Sequence, residues 1–522
     1  MNDAKQLKFY LTPSIADIIF ICLFLSLSLF ARKAFLADGD TGYHIRAGEY
    51  ILKTLSIPRQ DIFSFIDPPL SWTAHEWLSE VIMAVVHRSL GLTGIVIFFS
   101  LIISLSYSLF FKILKANNDI ISSIFFVLLV LGSSWIHWLA RPHIFSLLIM
   151  IIWYYLLDEF QYKDKNSLYV LPPIMLLWVN FHGGFLTGFI LIGIYLFGNI
   201  VKFITSHDLE KYIYKRKATL LGLITIVCLL ASLINPFGYH ILLFPFKLVS
   251  NKYIMNHISE FLSPNFHDPL LFKYFLLLMF VILALSAVKT NLIELLLILM
   301  FTNMSLYSAR YIPLFSIIVA PILLRQLGAI YERSDGRLTK FIKKRSDNIS
   351  KIDKSAKGYI WAVAAIILVV FSANTGKIDY KFDEKTKPVA AVEFLKKEKI
   401  AGNMFDNDEF GDYIIYAAWP EYKVFFDGRS DMYGVDMLKE YLKVANIKPG
   451  WNEVLKKYHI NWIIFNANSV LSLFLMQRDD WKLIYADEVA NIFVKDIPEY
   501  QYLIDKYPDV KLVIPNPDES EK

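Results

Sequence analysis

The sequence predicts a polytopic α-helical membrane protein of about eleven spans, followed by a C-terminal soluble α/β domain. Three observations predict it. The 522 residues have a mean hydropathy of +0.43 and are 55% hydrophobic and 16% aromatic, outside the soluble globular range. Apolar stretches near the length of a membrane span recur up to residue 374. Beyond about residue 380 the composition turns charged, with short alternating apolar runs.

The apolar stretches run over 14–31, 93–111, 119–138, 143–157, 167–180, 184–204, 218–234, 270–288, 291–307, 311–326 and 358–374. Lys and Arg in short loops set their orientation. With Lys5 and Lys8 cytoplasmic, the inside loops carry Lys112 and Lys115, then Lys163 and Lys165, then Lys211, Lys215, Arg216 and Lys217. The last of them, Arg333 to Lys357, is the most basic stretch of the chain. An odd number of crossings then places the C-terminal region outside. The expected division is a transmembrane domain at 1–374 and an extracytoplasmic α/β domain at 375–522. The first contains an outer loop at 33–92, a second outer loop at 235–269 and a basic cytoplasmic loop at 327–357. The expected location is the cell (inner or plasma) membrane. A net charge of +5, with the basic residues gathered in these loops, implies topology rather than nucleic-acid binding. Cys22 and Cys228 both lie in apolar segments, so neither a disulfide framework nor a thiolate metal site is expected. The first span runs into a polar loop without a small-residue cleavage site, as an uncleaved anchor does.

The first outer loop should contain two helices. Tyr43, Ala47, Tyr50, Ile51 and Leu55 recur at helical spacing opposite Arg46, Glu49 and Lys53, which suits a helix at the membrane interface. Thr73-Ala-His-Glu76 fits a capping box, so a second helix is expected to start near Thr73. In the C-terminal region, Pro388–Lys397 and Trp451–Tyr458 read as helices and Asn403–Phe405, Tyr422–Phe426 and Trp462–Phe465 as strands. Trp481–Ala486 and Val489–Val494 read as a hairpin, and the tail after Pro508 as loosely ordered.

Polar groups gather in the outer loops. Asp38-Gly-Asp40 follows the first span, and a carboxylate at bilayer depth costs about 2.5 to 3.5 kcal/mol at a helix centre, so such groups line cavities or meet partners. In an extended segment residues i and i+2 point the same way, about 6.5 to 7 Å apart, so the pair could flank a cation or share a proton. The competing reading is that Asp40 caps the following helix. His44, His75 and Glu76 stand in the same loop, and Arg141, His143, His182 and Arg310 in later outer connections. Arg supplies a planar fork matched to phosphate oxygens, although Arg141 and Arg310 at span ends would also snorkel to headgroups. Paired glycines after His182 let a ligand approach the backbone, and an outer turn would use them too. Asp427-Gly-Arg429 reads as a turn with a structural ion pair, or as an acceptor contact.

These stretches carry a resemblance. Asp38-Gly-Asp-Thr-Gly-Tyr-His-Ile-Arg-Ala-Gly-Glu, Ile57-Pro-Arg-Gln-Asp-Ile-Phe-Ser, Trp72-Thr-Ala-His-Glu-Trp-Leu, Ala140-Arg-Pro-His and Asn180-Phe-His-Gly-Gly are followed by Glu409-Phe-Gly-Asp-Tyr-Ile-Ile, Phe426-Asp-Gly-Arg-Ser-Asp-Met-Tyr and Trp481-Lys-Leu-Ile-Tyr-Ala-Asp. In this order of parts the chain resembles the C-type glycosyltransferase (GT-C) superfamily, which includes oligosaccharyltransferases, protein mannosyltransferases and lipid A aminoarabinose transferases, and within it bacterial members of little defined biochemistry. The resemblance implies a sugar donor carried on a polyprenyl phosphate or pyrophosphate, an extracytoplasmic acceptor (glycan, lipid or protein) and inversion at the anomeric carbon. Asp38 or Asp40 would be the base. His44, His75, Glu76, Arg141, His143, His182 and Arg310 would bind substrate or phosphate. A divalent cation, Mg or Mn, held by Asp38 and Asp40 is left open. The sequence Trp-Trp-Asp-x-Gly of oligosaccharyltransferases does not occur, which removes the best support for asparagine-directed transfer.

Two other classes compete: a transporter or flippase for a lipid-linked glycan, and a non-catalytic assembly or sensor protein. A transporter should show broken helices in corresponding halves and charges near the midplane, whereas the ionisable residues here gather at one face, with Glu294 the main exception.

Overall fold

The computed structural model describes residues 11–31, 35–116, 118–286 and 288–513, so Lys5, Lys8 and the end of the polar tail lie outside the described residues. In chain order it begins with α1 (Ile15–Phe30), α2 (Asp40–Thr54), α3 (Trp77–Lys115), α4 (Ile120–Ser134), α5 (His143–Lys163), α6 (Leu171–Phe181), α7 (Leu186–Thr205) and α8 (Asp208–Ser232). Two short helices, α9 (His240–Ser250) and α10 (Lys252–His257), precede α11 (Leu271–Leu285), α12 (Leu292–Tyr307), α13 (Ile312–Arg333), α14 (Arg337–Ser355) and α15 (Ile360–Asn374). The remainder is α16 (Val389–Glu398), β1 (Asn403–Asp406), α17 (Asp408–Ala418), α18 (Ser430–Ala445), α19 (Trp451–Lys457), β2 (Ile460–Asn466), α20 (Val470–Leu475), β3 (Trp481–Ala486), β4 (Ala490–Lys495) and α21 (Gln501–Lys506).

Every predicted apolar segment is helical. Five helices are long and apolar enough to cross a membrane, six if the bent pair α14–α15 counts as one span, and five shorter apolar helices accompany them among the described residues. The chain folds into two compact units. The first comprises residues 1–32, 93–138 and 142–379 and holds α1, the later part of α3 and α4 to α15. Local chemistry starts several of them. Ser14 and Asp17 form a capping box at α1, and Asn291 and Glu294 another at α12. Inside this unit Arg325 of α13 reaches Asp158 of α5 at 3.3 Å and Glu294 at 3.0 Å, which gives the exceptional Glu294 its partner.

The second unit comprises residues 33–92, 139–141 and 380–522. This differs from the sequence division, which assigned 33–92 to the transmembrane part. The loop packs instead with the C-terminal segment, whose four-stranded sheet has the order β1-β2-β4-β3. β1 and β2 are parallel, and β4 is antiparallel to both β2 and β3. The expected hairpin and the strands at 403 and 462 are present. The strand expected at Tyr422–Phe426 is not; its Val424 bonds in both directions with the first loop, through Phe65 N–H to Val424 O at 3.3 Å and Val424 N–H to Phe63 O at 3.1 Å.

Two further expectations for the loop are corrected. The face of α2 assigned to the membrane interface is covered by protein: Tyr43, Ala47 and Ile51 are buried, and α2 packs on α17. The second helix starts at Trp77 rather than near Thr73, which leaves Glu76 just ahead of it and its carboxylate turned to histidines.

Candidate functional site

The second unit gathers the acidic residues of the first loop. Asp38 accepts a hydrogen bond from the backbone N–H of Asp40 at 3.0 Å, so Asp38 does the local capping. Asp40 opens α2. Both carboxylates bond one guanidinium: Arg141 donates to Asp38 Oδ2 at 2.5 Å, and its other amino group pairs with Asp40 Oδ2. Thr41 fixes the approach by donating to Ala140 O at 3.1 Å. One arginine fork thus has both carboxylates as its acceptors.

A third carboxylate was missed by the sequence reading. Asp412 of α17 is 3% exposed and its Oδ1 accepts from Gly428 N–H at 3.1 Å. A side chain at 428 would strike Asp40 Oδ1 and come within 3.0 Å of Asp412 Oδ2, so the two carboxylates converge on the bare face of that glycine. A side chain at Gly42 would come within 2.8 Å of both Asp412 O and Tyr416 Cβ, and this closeness lets α17 lie against α2. Burial first, and then the charge of Asp40, push the Asp412 carboxyl well above the usual carboxylate range. The sequence signal was Glu409-Phe-Gly-Asp, a helix start in which Asp412 falls among the buried positions.

His44 is 1% exposed, with Nδ1 3.1 Å from Glu80 and Nε2 3.6 Å from Glu76. His75 lies 3.8 Å from Glu76. His44 and Glu76 were expected to bind substrate or phosphate; here the imidazole lies between the carboxyl groups of Glu80 and Glu76. Arg429 is likewise structural: it bonds Asp427 at 2.6 Å and Asp61 at 2.8 Å and lies over Trp72 and Phe63. The Asp427-Gly-Arg429 turn therefore ties the first loop to the C-terminal segment.

The first unit holds a separate cavity of about 90 Å³, and it brings His143, His182 and Arg310 together. His137, which the sequence did not single out, joins them, its ring 4.7 Å from that of His143. His143 Nε2 bonds His137 O at 2.8 Å. His182 Nδ1 accepts from Gly184 N–H at 2.9 Å and also meets Ser146 Oγ at 2.9 Å, while Ser146 accepts from Trp178 Nε1 at 2.7 Å. Since a neutral imidazole carries one proton, this leaves it on Nε2 as a donor. Arg310 lies 3.8 Å from Glu260 and against the Phe261 ring. Apolar Ile144, Leu147, Trp178 and Leu314 line it too, beside Thr187 and Tyr311. His240 and His257 do not line it.

The Asp38–Asp40 pair does not fit a divalent cation as arranged, because Arg141 takes both carboxylates. Among the described residues no three His, Cys, Asp or Glu side chains converge as metal ligands.

An oligosaccharyltransferase of Archaeoglobus fulgidus in the apo form aligns over 92% of this chain and 74% of its own length, at 10% identity and a TM-score of 0.56. The archaeal oligosaccharyltransferase AglB of the same organism, in complex with an inhibitory peptide and a dolichol-phosphate, aligns over 87% of this chain and 69% of its own, at 10% identity and 0.54. The chain has the fold of the C-type glycosyltransferases. ArnT of Cupriavidus metallidurans bound to undecaprenyl phosphate aligns over 92% and 98% at 12% identity, with a TM-score of 0.45. No family model and no curated protein sequence matches. Within this fold, the acidic start of α2 and the histidine–arginine cavity are two places, each inside its own unit, where chemistry-bearing side chains collect.

Proposed function

We propose that the protein transfers a sugar from a polyprenyl-phosphate or pyrophosphate donor to an extracytoplasmic acceptor, with inversion at the anomeric carbon. The observation that carries the reading is the Asp38–Asp40–Arg141 constellation on a GT-C fold. In this reaction the acceptor oxygen or nitrogen forms a bond to the anomeric carbon as the sugar–phosphate bond breaks. The acceptor's proton passes to a carboxylate and the electron pair leaves on phosphate. Asp38 and Asp40, both bonded by Arg141, are the candidate bases. The side chain of Asp38 is 18% exposed and that of Asp40 10%, so Asp38 is the more accessible. Within the first unit by itself, the cavity of His143, His182 and Arg310 offers donors suited to a lipid phosphate. The dolichol-phosphate held by the archaeal oligosaccharyltransferase supports a lipid phosphate as donor.

Asp38→Asn and Asp40→Asn, each in purified protein, test the base by following sugar release from polyprenyl-phosphate sugars. A loss of about 100-fold or more in at least one is expected. Unchanged turnover in both overturns the reading. Arg310→Ala and His182→Ala should raise KM for the lipid donor, and an unmoved KM in both would remove the cavity from the donor path.

A further inference from the structure

We propose that α14 is an in-plane helix that binds the headgroups of anionic phospholipids at the membrane surface. Its side chains sort into three strips. Thr339, Ser346 and Asp353 recur every seventh residue and are buried. This buried strip is polar and is used by other helices: Asp353 Oδ1 accepts from Ile15 N–H at 2.7 Å, Ser346 Oγ from Ile120 N–H at 2.8 Å, and Lys115 pairs with Asp353 at 2.5 Å. The helix is thus docked through caps for the first turns of α1 and α4, not through an apolar seam.

The large apolar side chains are left on one flank. Phe341 is 57% exposed and Ile352 63%, with Ile342 and Ile349 half-buried beside them. At 100° per residue these four fall on one arc, and Lys340, Lys343, Lys344, Lys351 and Lys354 fall on the arc across the axis, all exposed. Soluble helices turn such an apolar arc inward; a helix lying in a bilayer interface turns it to the acyl boundary and keeps lysines at headgroup level. Orientation supports this. The axis of α14 is bent by 70° from that of α15, an apolar helix, so if α15 stands along the bilayer normal α14 lies close to the membrane plane. Charge then selects the lipid. Arg337, Lys340, Lys343, Lys344, Arg345, Lys351 and Lys354 face only Asp347 and Asp353 on the same helix, and Asp353 is already paired with Lys115. Such an excess attracts phosphatidylglycerol-type headgroups and not zwitterionic ones.

Native mass spectrometry of the full-length detergent-purified protein, with added phosphatidylglycerol or phosphatidylcholine, tests this. Wild type should retain phosphatidylglycerol in preference. The combined Lys340→Gln, Lys343→Gln, Lys344→Gln, Lys351→Gln variant should lose at least about tenfold of that affinity, since these exposed side chains take no part in the caps. On the unmodified chain, retention should fall as salt is raised from roughly 0.1 to 1 M, where screening shortens from about 10 to 3 Å. Equal retention of the two lipids, salt-independent binding, or wild-type affinity in the lysine variant would each overturn the proposal.

Discussion

Asp412 shows how burial assigns a carboxylate its work. A carboxyl raised in the folded state stabilises the fold below the unfolded value near 4, and that contribution is lost as pH rises through its folded pKa. The sign follows: wild type should lose stability toward alkaline pH, and Asp412→Asn should lose less. Asn keeps an oxygen for Gly428 N–H while removing the charge beside Asp40. The gap in Tm between acid and alkaline pH should therefore narrow in the variant. A gap unchanged by the substitution would mean that Asp412 does not titrate there. At the same scale, Arg141→Lys keeps a positive charge but cannot bond both carboxylates as a fork, so turnover should fall by about 100-fold with folding retained. The resemblance had already pointed to Asp38, Asp40 and Arg141, but it could not say that Arg141 bonds both. Asp412 was invisible because a lone aspartate near a helix start looks like an N-terminal charge.

The pairing of α2 with α17 is the element on which the acidic cluster depends. Its closeness rests on Gly42, and Gly42→Leu should cost about 1 to 3 kcal/mol by overpacking, read as a lower unfolding temperature of the detergent-purified protein. Arg429 locks the same unit from another side. Arg429→Met would strand Asp61 and Asp427 without their cation and should cost about 3 to 5 kcal/mol. If Arg429→Met unfolds like wild type, the turn does not tie the loop to the sheet. The strand misassigned at Tyr422–Phe426 belongs here. Its apolar run was read as a strand, but its partner is residues 63–65, more than 350 positions earlier, and periodicity carries no information about a partner's place in the chain.

For the whole molecule, the predicted topology puts the end of α14 and the C-terminal segment on opposite sides of the membrane. With Cys22 and Cys228 changed to Ser, single cysteines at Lys354 and Asn446 should be labelled by an impermeant maleimide from opposite faces of right-side-out vesicles. Labelling from one face would mean that α15 does not cross the membrane. Much of the architecture was legible in the sequence: apolar length set the eleven helical segments, and alternation after residue 380 set most of the sheet, because span length and strand period are local properties of a chain in its solvent. Tertiary structure alone decided that residues 33–92 fold with the C-terminal segment, that α2 is covered by protein, and that one arginine holds two carboxylates while a third faces them. Those outcomes depend on contacts between residues hundreds of positions apart, and on glycines whose missing side chains matter only once another helix is pressed against them.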